Sequence, residues 1–138
     1  MKTLVYLLFV LAASSLAACQ PKPAPGEIVS VTGGSDRSIP ANDLNSMLKN
    51  KDFMLINVHI PLAGNIAGTD RSIPYDQIGQ NLALLPGDKN ARIVLYCRSG
   101  RMSAIAAEAL VKLGYTDVWD LKGGTAAWEQ AGLTLENK

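Results

Sequence analysis

The stretch that most constrains the fold of this chain reads Arg92-Ile-Val-Leu-Tyr-Cys97-Arg-Ser-Gly-Arg-Met-Ser103. An apolar run leads up to the cysteine, a polar loop containing a glycine follows it, and apolar residues then recur at helical spacing. The pattern predicts a strand, a turn and a helix, with the Cys97 thiol at the carboxyl end of the strand. In an open α/β sheet, that edge is where ligands bind.

The residues around Cys97 favour an ionised thiol. Backbone N–H groups at the start of a helix carry partial positive charge, so a loop wrapped around the cysteine stabilises a thiolate and an anion beside it. Arg98 and Arg101 add two full positive charges. We therefore expect a reactive cysteine rather than a thiol that is buried as a small apolar side chain.

Strand and helix patterns alternate along the rest of the chain. Buried strands are predicted at residues 53–58, 92–97 and 118–121, and a possible edge strand at residues 28–31. Helices are predicted at residues 40–50, 75–85, 102–113 and 125–131. Strands that alternate with helices imply crossover connections. The predicted fold class is therefore α/β, a small and mainly parallel sheet with helices on both faces.

The first 18 residues have the features of an export signal. Lys2 gives a basic start, and the apolar segment Leu4–Ala13 is about half of the roughly 20 residues that a membrane-spanning helix needs. Leu16-Ala17-Ala18-Cys19 resembles the lipobox of bacterial lipoproteins, which implies cleavage after residue 18 and a lipid on Cys19. The alternative is an ordinary signal peptide cut near Ala18, which leaves Cys19 as a free thiol.

The remaining chain divides into a linker and one domain. Residues 19–37 hold the cysteine and a segment rich in proline and glycine, and residues 38–138 form the predicted domain. A lipidated Cys19 predicts a protein tethered to a membrane at the periplasmic face of the cell envelope. Because Gln20 stands where an Asp would resemble a signal for inner-membrane retention, the outer membrane is favoured.

Charge and cysteine content narrow the possible partners. Lys2 is the one charged residue of segment 1–18, so its removal leaves as many basic as acidic side chains. A neutral domain does not indicate nucleic acid as a partner. If Cys19 carries a lipid, Cys97 is the remaining thiol, and the exported domain is not held by a disulfide.

Several thiol chemistries can be tested on spacing alone. A thioredoxin-type Cys-x-x-Cys motif is excluded because position 100 is glycine, and the Cys-x5-Arg loop of tyrosine phosphatases is excluded because position 103 is serine. A papain-like pair depends on His59, the one histidine of the chain. One cysteine and one histidine are too few ligands to predict a metal site. A thiolate that needs no base, and that attacks the terminal sulfur of an anionic donor, fits the loop better.

Four segments of the chain together resemble the rhodanese-domain sulfurtransferases. Segment 93–103 is similar to the family's active-site strand and loop, and Leu55-Ile-Asn-Val58 is similar to its Leu-Ile-Asp-Val strand. Residues 106–115 resemble the helix and the Gly-Tyr/Phe step after the loop. Leu121-Lys-Gly-Gly-Thr-Ala-Ala-Trp128 resembles the Leu-x-Gly-Gly-x-x-x-Trp ending. The resemblance covers about residues 38–135 and implies one rhodanese-like domain.

The resemblance also implies roles for individual residues. Cys97 matches the sulfur-accepting nucleophile, and residues 98–102 match the backbone amides around it. A covalent cysteine persulfide is implied, without a cofactor or a metal. The residues expected to bind the substrate are Arg98, Ser99, Gly100, Arg101, Met102 and Ser103. Both serines are equally natural as turn and cap residues.

The chain departs from the family on one side of the expected pocket. The family reads Asp-Val-Arg where this chain reads Asn57-Val58-His59, and several following residues, including a Glu, are missing here. Asn57 forms hydrogen bonds without bringing a charge, so an ion pair to a loop arginine is either lost or made by another residue. His59 is interpreted either as a hydrogen-bonded structural residue or as a pocket residue that relays protons.

The sequence therefore predicts an envelope sulfurtransferase that accepts sulfur from a small thiosulfate-like anion on Cys97. The expected acceptor is cyanide, a thiol or a partner protein. The alternative is a rhodanese-fold module in which Cys97 binds a partner or reports oxidation without turnover. The intact loop favours the enzyme, whereas Asn57 and the shortened segment after His59 favour the module.

Overall fold

The computed structural model describes residues 27–31 and 34–138, with side chains from residue 37 onwards. Six strands form one sheet in the order β1-β2-β6-β5-β3-β4. The strands are β1 (Glu27–Val31), β2 (Gly34–Ile39), β3 (Met54–Asn57), β4 (Arg71–Ser72), β5 (Ile93–Tyr96) and β6 (Val118–Leu121). β1 pairs with β2 in antiparallel fashion, and every other neighbouring pair is parallel.

Three helices cover the two faces of this sheet. They are α1 (Ala41–Leu48), α2 (Arg101–Lys112) and α3 (Gly124–Gln130). Ala106 and Leu110 of α2 pack with Leu95 on one face, and Leu44 of α1 and Trp128 of α3 belong to the core on the other face. The side chains of β5 are all buried, as expected for a strand that is covered on both sides. The predicted α/β class, with helices on both faces of a mainly parallel sheet, is confirmed.

The register of the parallel strands brings their carboxyl ends to one edge. Asn57 at the end of β3 lies opposite Tyr96 at the end of β5. One residue further, the Val58 N–H donates to the Tyr96 carbonyl oxygen over 2.9 Å. The loop that begins at Cys97 and the segment that follows Val58 therefore leave the sheet side by side.

The helix predicted at residues 75–85 is wrong. The segment instead forms turns and two short 3₁₀ helices, Ile78–Gln80 and Leu82–Leu84. In an α-helix the Gln77 carbonyl would accept the Asn81 backbone N–H, but here it accepts the Gln80 N–H over 3.0 Å and the Asn81 side-chain amide over 2.9 Å. The Asn81 N–H donates to Ile78 O over 3.2 Å. Asparagine side chains compete with the helical ladder in this way, and the apolar spacing alone does not reveal it.

The sheet also begins earlier than the predicted domain boundary at residue 38. That boundary falls inside β2, where Arg37, Ser38 and Ile39 lie opposite Trp119, Asp120 and Leu121 of β6. The edge strand predicted at residues 28–31 is present as β1, whereas the two-residue strand β4 was not predicted. The predicted signal segment 1–18 and Cys19 lie outside the described residues. No helix in the described part of the chain has the length and apolar character needed to cross a membrane.

Candidate active site

Cys97 directly follows β5 and is almost enclosed. Its exposed fraction is 1%, and it belongs to the apolar core on the α2 side of the sheet. Tyr96 points to the opposite face, as alternation along a strand requires. The thiol is therefore held by the rigid centre of the fold, and a reagent must reach it through the loop that follows.

Two hydrogen bonds hold the sulfur in place. The Gly100 backbone N–H donates to Cys97 Sγ over 3.1 Å, and the Ser103 hydroxyl lies 3.4 Å from Sγ. The same hydroxyl lies 3.2 Å from the Gly100 carbonyl oxygen. Because a hydroxyl has one proton to donate, it bonds either the sulfur or the carbonyl at a given moment. An anionic sulfur attracts that proton more strongly than a neutral one.

The backbone at Gly100 explains how the loop turns toward the sulfur. Gly100 has a φ of 93° and stands immediately before α2. Residues with a side chain rarely adopt this left-handed conformation, so the position favours glycine. Space is not the reason, because a Cβ at Gly100 would meet the Gly123 nitrogen at an ordinary 3.5 Å.

The start of α3 holds the other end of the loop. The Thr125 N–H donates to Cys97 O over 2.8 Å, and the Ala126 N–H donates to Arg98 O over 3.0 Å. A Cβ at Gly124, which has a φ of 59°, would lie 2.3 Å from Cys97 O. The close approach of these two backbones therefore requires glycine. The sequence analysis noted this glycine pair only as part of the family-like ending at residues 121–128, and it did not predict the contact with Cys97.

The polar side chains of the loop are turned to solvent. Arg98, Ser99 and Arg101 are exposed, while Met102 is half-buried and packs against the core on the α2 side. Among residues 37–138, neither arginine forms an ion pair or a side-chain hydrogen bond. Two positive charges beside Cys97 are thus available for an anionic substrate.

The segment after β3, residues 58–66, forms the neighbouring wall of the site. A network of uncharged hydrogen-bonding groups fixes this wall. The Asn57 side-chain amide donates to Gly64 O over 3.0 Å and to Asn65 Oδ1 over 2.9 Å. Its oxygen accepts the His59 backbone N–H over 3.0 Å. Asn57 is 2% exposed. The residue that replaces the family's aspartate therefore anchors the segment after β3, and it does so without a charge.

The phenol of Tyr96 extends this network. It accepts the Ile66 N–H over 3.0 Å, lies 2.7 Å from Thr69 Oγ1 and donates to Asn65 Oδ1 over 3.2 Å. Burial raises the pKa of Tyr96 above its ordinary value of 10.0. Tyr96 thus joins the strand before Cys97 to the wall after β3, a role that the sequence analysis did not assign.

His59 lies at this edge and is half-buried. Its Nδ1 is enclosed and has no hydrogen-bond partner in the part of the chain that the structure describes. Within the described residues, Nδ1 therefore makes no hydrogen bond that would fix the orientation of the imidazole. In the same described part, no three His, Cys, Asp or Glu side chains lie together in a way that could hold a metal ion.

Comparisons with known proteins agree with this geometry. Residues 41–131 match the family described as Rhodanese-like domain. A protein named Sulfurtransferase from Allochromatium vinosum is 31% identical over 87 residues, which cover 62% of this chain and 79% of that protein. The probable adenylyltransferase/sulfurtransferase MoeZ of Mycobacterium tuberculosis is 42% identical over 82 residues, which cover 56% of this chain. This match spans only 20% of MoeZ.

A solved structure shows the same fold. The crystal structure of a rhodanese-related protein from Thermoplasma volcanium has a TM-score of 0.60 and 28% identity, over 71% of this chain and 95% of that one. The chain belongs to the rhodanese-like domain family. Its relatives support sulfur transfer as its general chemistry and a rhodanese-type sulfurtransferase as its class of enzyme.

Proposed function

We propose that this protein accepts sulfane sulfur from thiosulfate, or from a similar anion, on Cys97 and passes it to a thiophilic acceptor. The observation that carries the proposal is the environment of one atom. Cys97 Sγ accepts a backbone N–H from Gly100 and faces the Ser103 hydroxyl, and the loop carries two exposed arginines that form no ion pair among residues 37–138. Hydrogen-bond donors and positive charges in these positions suit an anionic substrate and the anion that it releases.

In the first half-reaction, the Cys97 thiolate attacks the outer sulfur of thiosulfate. A sulfur–sulfur bond forms to Cys97, the bond to the sulfonate sulfur breaks, and sulfite leaves with the electron pair. Arg98 and Arg101 are placed to stabilise the charge that moves onto the leaving sulfite. The product is a Cys97 persulfide, which carries its negative charge within the same set of donors. No cofactor takes part.

In the second half-reaction, a nucleophilic acceptor attacks the outer sulfur of the persulfide. The sulfur–sulfur bond breaks and the Cys97 thiolate is restored. Cyanide becomes thiocyanate, a small thiol becomes a persulfide, and a cysteine on a protein reacts in the same way. The sulfurtransferase names of MoeZ and the Allochromatium protein support sulfur transfer as the reaction.

The test is an intact-mass measurement on residues 20–138, in which Cys97 is the only thiol, before and after thiosulfate. We expect a gain of one sulfur atom, its removal by cyanide, and no gain in a parallel Cys97→Ser sample. No gain in a protein whose Cys97 still reacts with a small alkylating reagent would contradict the proposal. The binding or redox-sensing module would then be favoured.

The proposed location is the periplasmic face of the cell envelope, with a lipid on Cys19 as the anchor. The apolar start of the chain and its similarity to a lipobox support this proposal. Expression of the full chain in a Gram-negative host should place it in the membrane fraction, and Cys19→Ser should release it. Retention of the Ser variant in the membrane would contradict a lipid anchor at this residue.

A further inference from the structure

An exposed apolar loop follows His59 at the same edge as Cys97. Ile60, Pro61, Leu62 and Ala63 are consecutive and all exposed, with exposed fractions of 37% for Ile60 and 56% for Leu62. Leu62 is the most exposed of the large apolar side chains in the described residues. Single exposed apolar residues are common on protein surfaces, but clustered ones mark interaction sites.

Hydrogen bonds hold both ends of this loop. Asn57 binds the Gly64 carbonyl at its carboxyl end and the His59 N–H at its amino end. Asn65 exchanges two backbone hydrogen bonds with Glu136, of 2.8 and 2.7 Å. A loop fixed in this way keeps its apolar tip in water instead of folding it against the core. Partner binding then loses less conformational entropy.

The loop begins beside the end of β5, next to Cys97. The Val58 N–H binds the Tyr96 carbonyl, and Cys97 follows Tyr96 directly. Ile60 is two residues beyond Val58, so their Cα atoms are at most about 7 Å apart. Arg98 and Arg101 are exposed on the loop that begins beside it. An apolar tip and two positive charges that form no ion pair among residues 37–138 therefore lie on the two loops that leave the sheet beside Cys97.

We propose that Ile60–Ala63, together with Arg98 and Arg101, is the docking surface for a protein that accepts sulfur from Cys97. The complementary partner carries its reactive cysteine among apolar and acidic side chains. This inference rests on the proposed function. A lipid surface is a poorer occupant, because a membrane seated here would cover the edge through which the acceptor must reach the persulfide.

The transfer at this surface needs no further reagent. The partner's thiolate attacks the outer sulfur of the Cys97 persulfide and forms a new sulfur–sulfur bond. The bond to Cys97 breaks, and the Cys97 thiolate leaves with its electrons. The partner thus gains a persulfide. A small acceptor such as cyanide reaches the same sulfur without touching the apolar loop.

The test compares two peptide acceptors with cyanide, using the full chain with Cys19→Ser. The peptides are Asp-Leu-Cys-Leu-Glu and Lys-Leu-Cys-Leu-Lys, and each rate is normalised to the peptide's rate with a small disulfide reagent. The variant is Leu62→Ser, and Leu84→Ser is the matched control. Leu84 is 43% exposed on the segment that leads to the opposite, amino end of β5.

We expect the acidic peptide to accept sulfur faster than the basic one. Leu62→Ser should slow transfer to the acidic peptide by about tenfold, the effect of removing one leucine contact. It should leave thiosulfate loading and the cyanide rate unchanged, and Leu84→Ser should change none of these rates. Equal rates for the two peptides, or an unchanged rate in Leu62→Ser, would overturn the proposal.

Two further measurements separate this inference from its alternatives. If thiosulfate does not load the protein, a Cys97 persulfide made with inorganic polysulfide tests the transfer step, so failure of the donor and failure of the surface are distinguished. Sedimentation and binding to anionic phospholipid vesicles test the other occupants. A dimer, or vesicle binding, that Leu62→Ser abolishes would assign the loop to that role and overturn docking of an acceptor.

Discussion

The two loops that leave the sheet side by side, after β5 and after β3, are built in different ways. The loop at Cys97 is shaped by main-chain groups. The Gly100 N–H reaches the sulfur, and the Thr125 and Ala126 N–H groups hold the carbonyls of Cys97 and Arg98. The wall after β3 is shaped by side chains, since Asn57, Asn65 and the Tyr96 phenol carry its hydrogen bonds.

This difference indicates which parts of the site tolerate substitution. The backbone groups of Gly100, Thr125 and Ala126 form a main-chain cradle around Cys97 and its loop. Such a cradle depends little on side chains, but it depends strongly on the glycines that let two backbones approach. A side-chain network depends on which atoms donate and which accept. Asn57 keeps the wall in place with an amide where the family has a carboxylate, so position 57 brings no negative charge toward Arg98 and Arg101.

The largest expected effect is that of Gly124→Ala, which disrupts the main-chain cradle. Its Cβ would lie 2.3 Å from Cys97 O and 2.6 Å from Arg98 O. Backbone atoms cannot rotate away, so the loop or α3 must shift. We expect a loss of about 3 kcal/mol or more in the free energy of unfolding. Urea denaturation measures this loss, and the intact-mass assay should show little sulfur loading.

Gly132→Ala is the matched control for this prediction. Gly132 also has a positive φ, of 78°, but a Cβ there meets nothing within 4 Å. It should lose only about 1 kcal/mol from backbone strain and should keep normal sulfur loading. Equal losses in the two variants would show that backbone conformation, rather than the contact with Cys97, explains the need for glycine.

The second prediction concerns Asn57→Asp, which replaces the hydrogen-bond donor of the wall with an acceptor. The carboxylate would face Gly64 O and Asn65 Oδ1, which now accept hydrogen bonds from the amide. We expect a loss of about 2–4 kcal/mol in the free energy of unfolding at neutral pH. Burial should raise the pKa of the new carboxyl. The loss of stability relative to the parent protein should therefore be smallest below about pH 4 and should grow as the pH rises.

Denaturation of this variant at several pH values, beside the parent protein, measures the effect. A difference between the two proteins that stays constant from acidic to neutral pH would contradict a buried carboxylate at this position. A gain in stability from a new ion pair with Arg98 or Arg101 would show that the wall accommodates the family's charge.

The sequence predicted the Cys97 side of the site better than the wall, and for a physical reason. Strand, loop and helix around Cys97 are contiguous, so local periodicity revealed them. The contacts of Gly124 and Tyr96 join segments that are distant in sequence, and spacing does not report them. The helix predicted at residues 75–85 is wrong, and there the Gln77 carbonyl accepts the Gln80 N–H and the Asn81 side-chain amide instead of the Asn81 backbone N–H.

The third prediction removes the phenol of the wall with Tyr96→Phe. The Ile66 N–H would lose its acceptor, and we expect a loss of about 1–3 kcal/mol in the free energy of unfolding near pH 7. Sulfur loading should persist, because the cradle uses main-chain groups. Complete loss of loading would mean that the wall, and not only the loop, sets the position of Cys97.

The raised pKa of Tyr96 adds a pH dependence to this comparison. Because the folded-state pKa lies above the ordinary value of 10.0, the parent protein keeps the full contribution of the neutral phenol below that pH. Above it, the unfolded chain ionises first and the contribution is lost. The stability difference between parent and Tyr96→Phe should therefore narrow as the pH rises beyond 10.0.

The smallest expected effect is that of Ser103→Ala, the one side-chain donor of the cradle. Its hydroxyl lies 3.4 Å from Sγ and 3.2 Å from Gly100 O, so its single proton is shared. The Gly100 N–H remains after the substitution, and the sulfur keeps its shorter hydrogen bond of 3.1 Å. We expect thiosulfate loading to slow by about tenfold or less, as for the loss of one ordinary hydrogen bond.

Ser46→Ala is the matched control, since that hydroxyl also donates to a helix carbonyl, Asn42 O at 3.0 Å, but lies on α1 at the other face of the sheet. It should leave the loading rate unchanged. A loss of several hundredfold in Ser103→Ala alone would mean that the hydroxyl, rather than the backbone, is the main donor to the sulfur. Cys97 Sγ would then be held mainly by a side chain, and the distinction between a main-chain cradle and a side-chain wall would not apply to it.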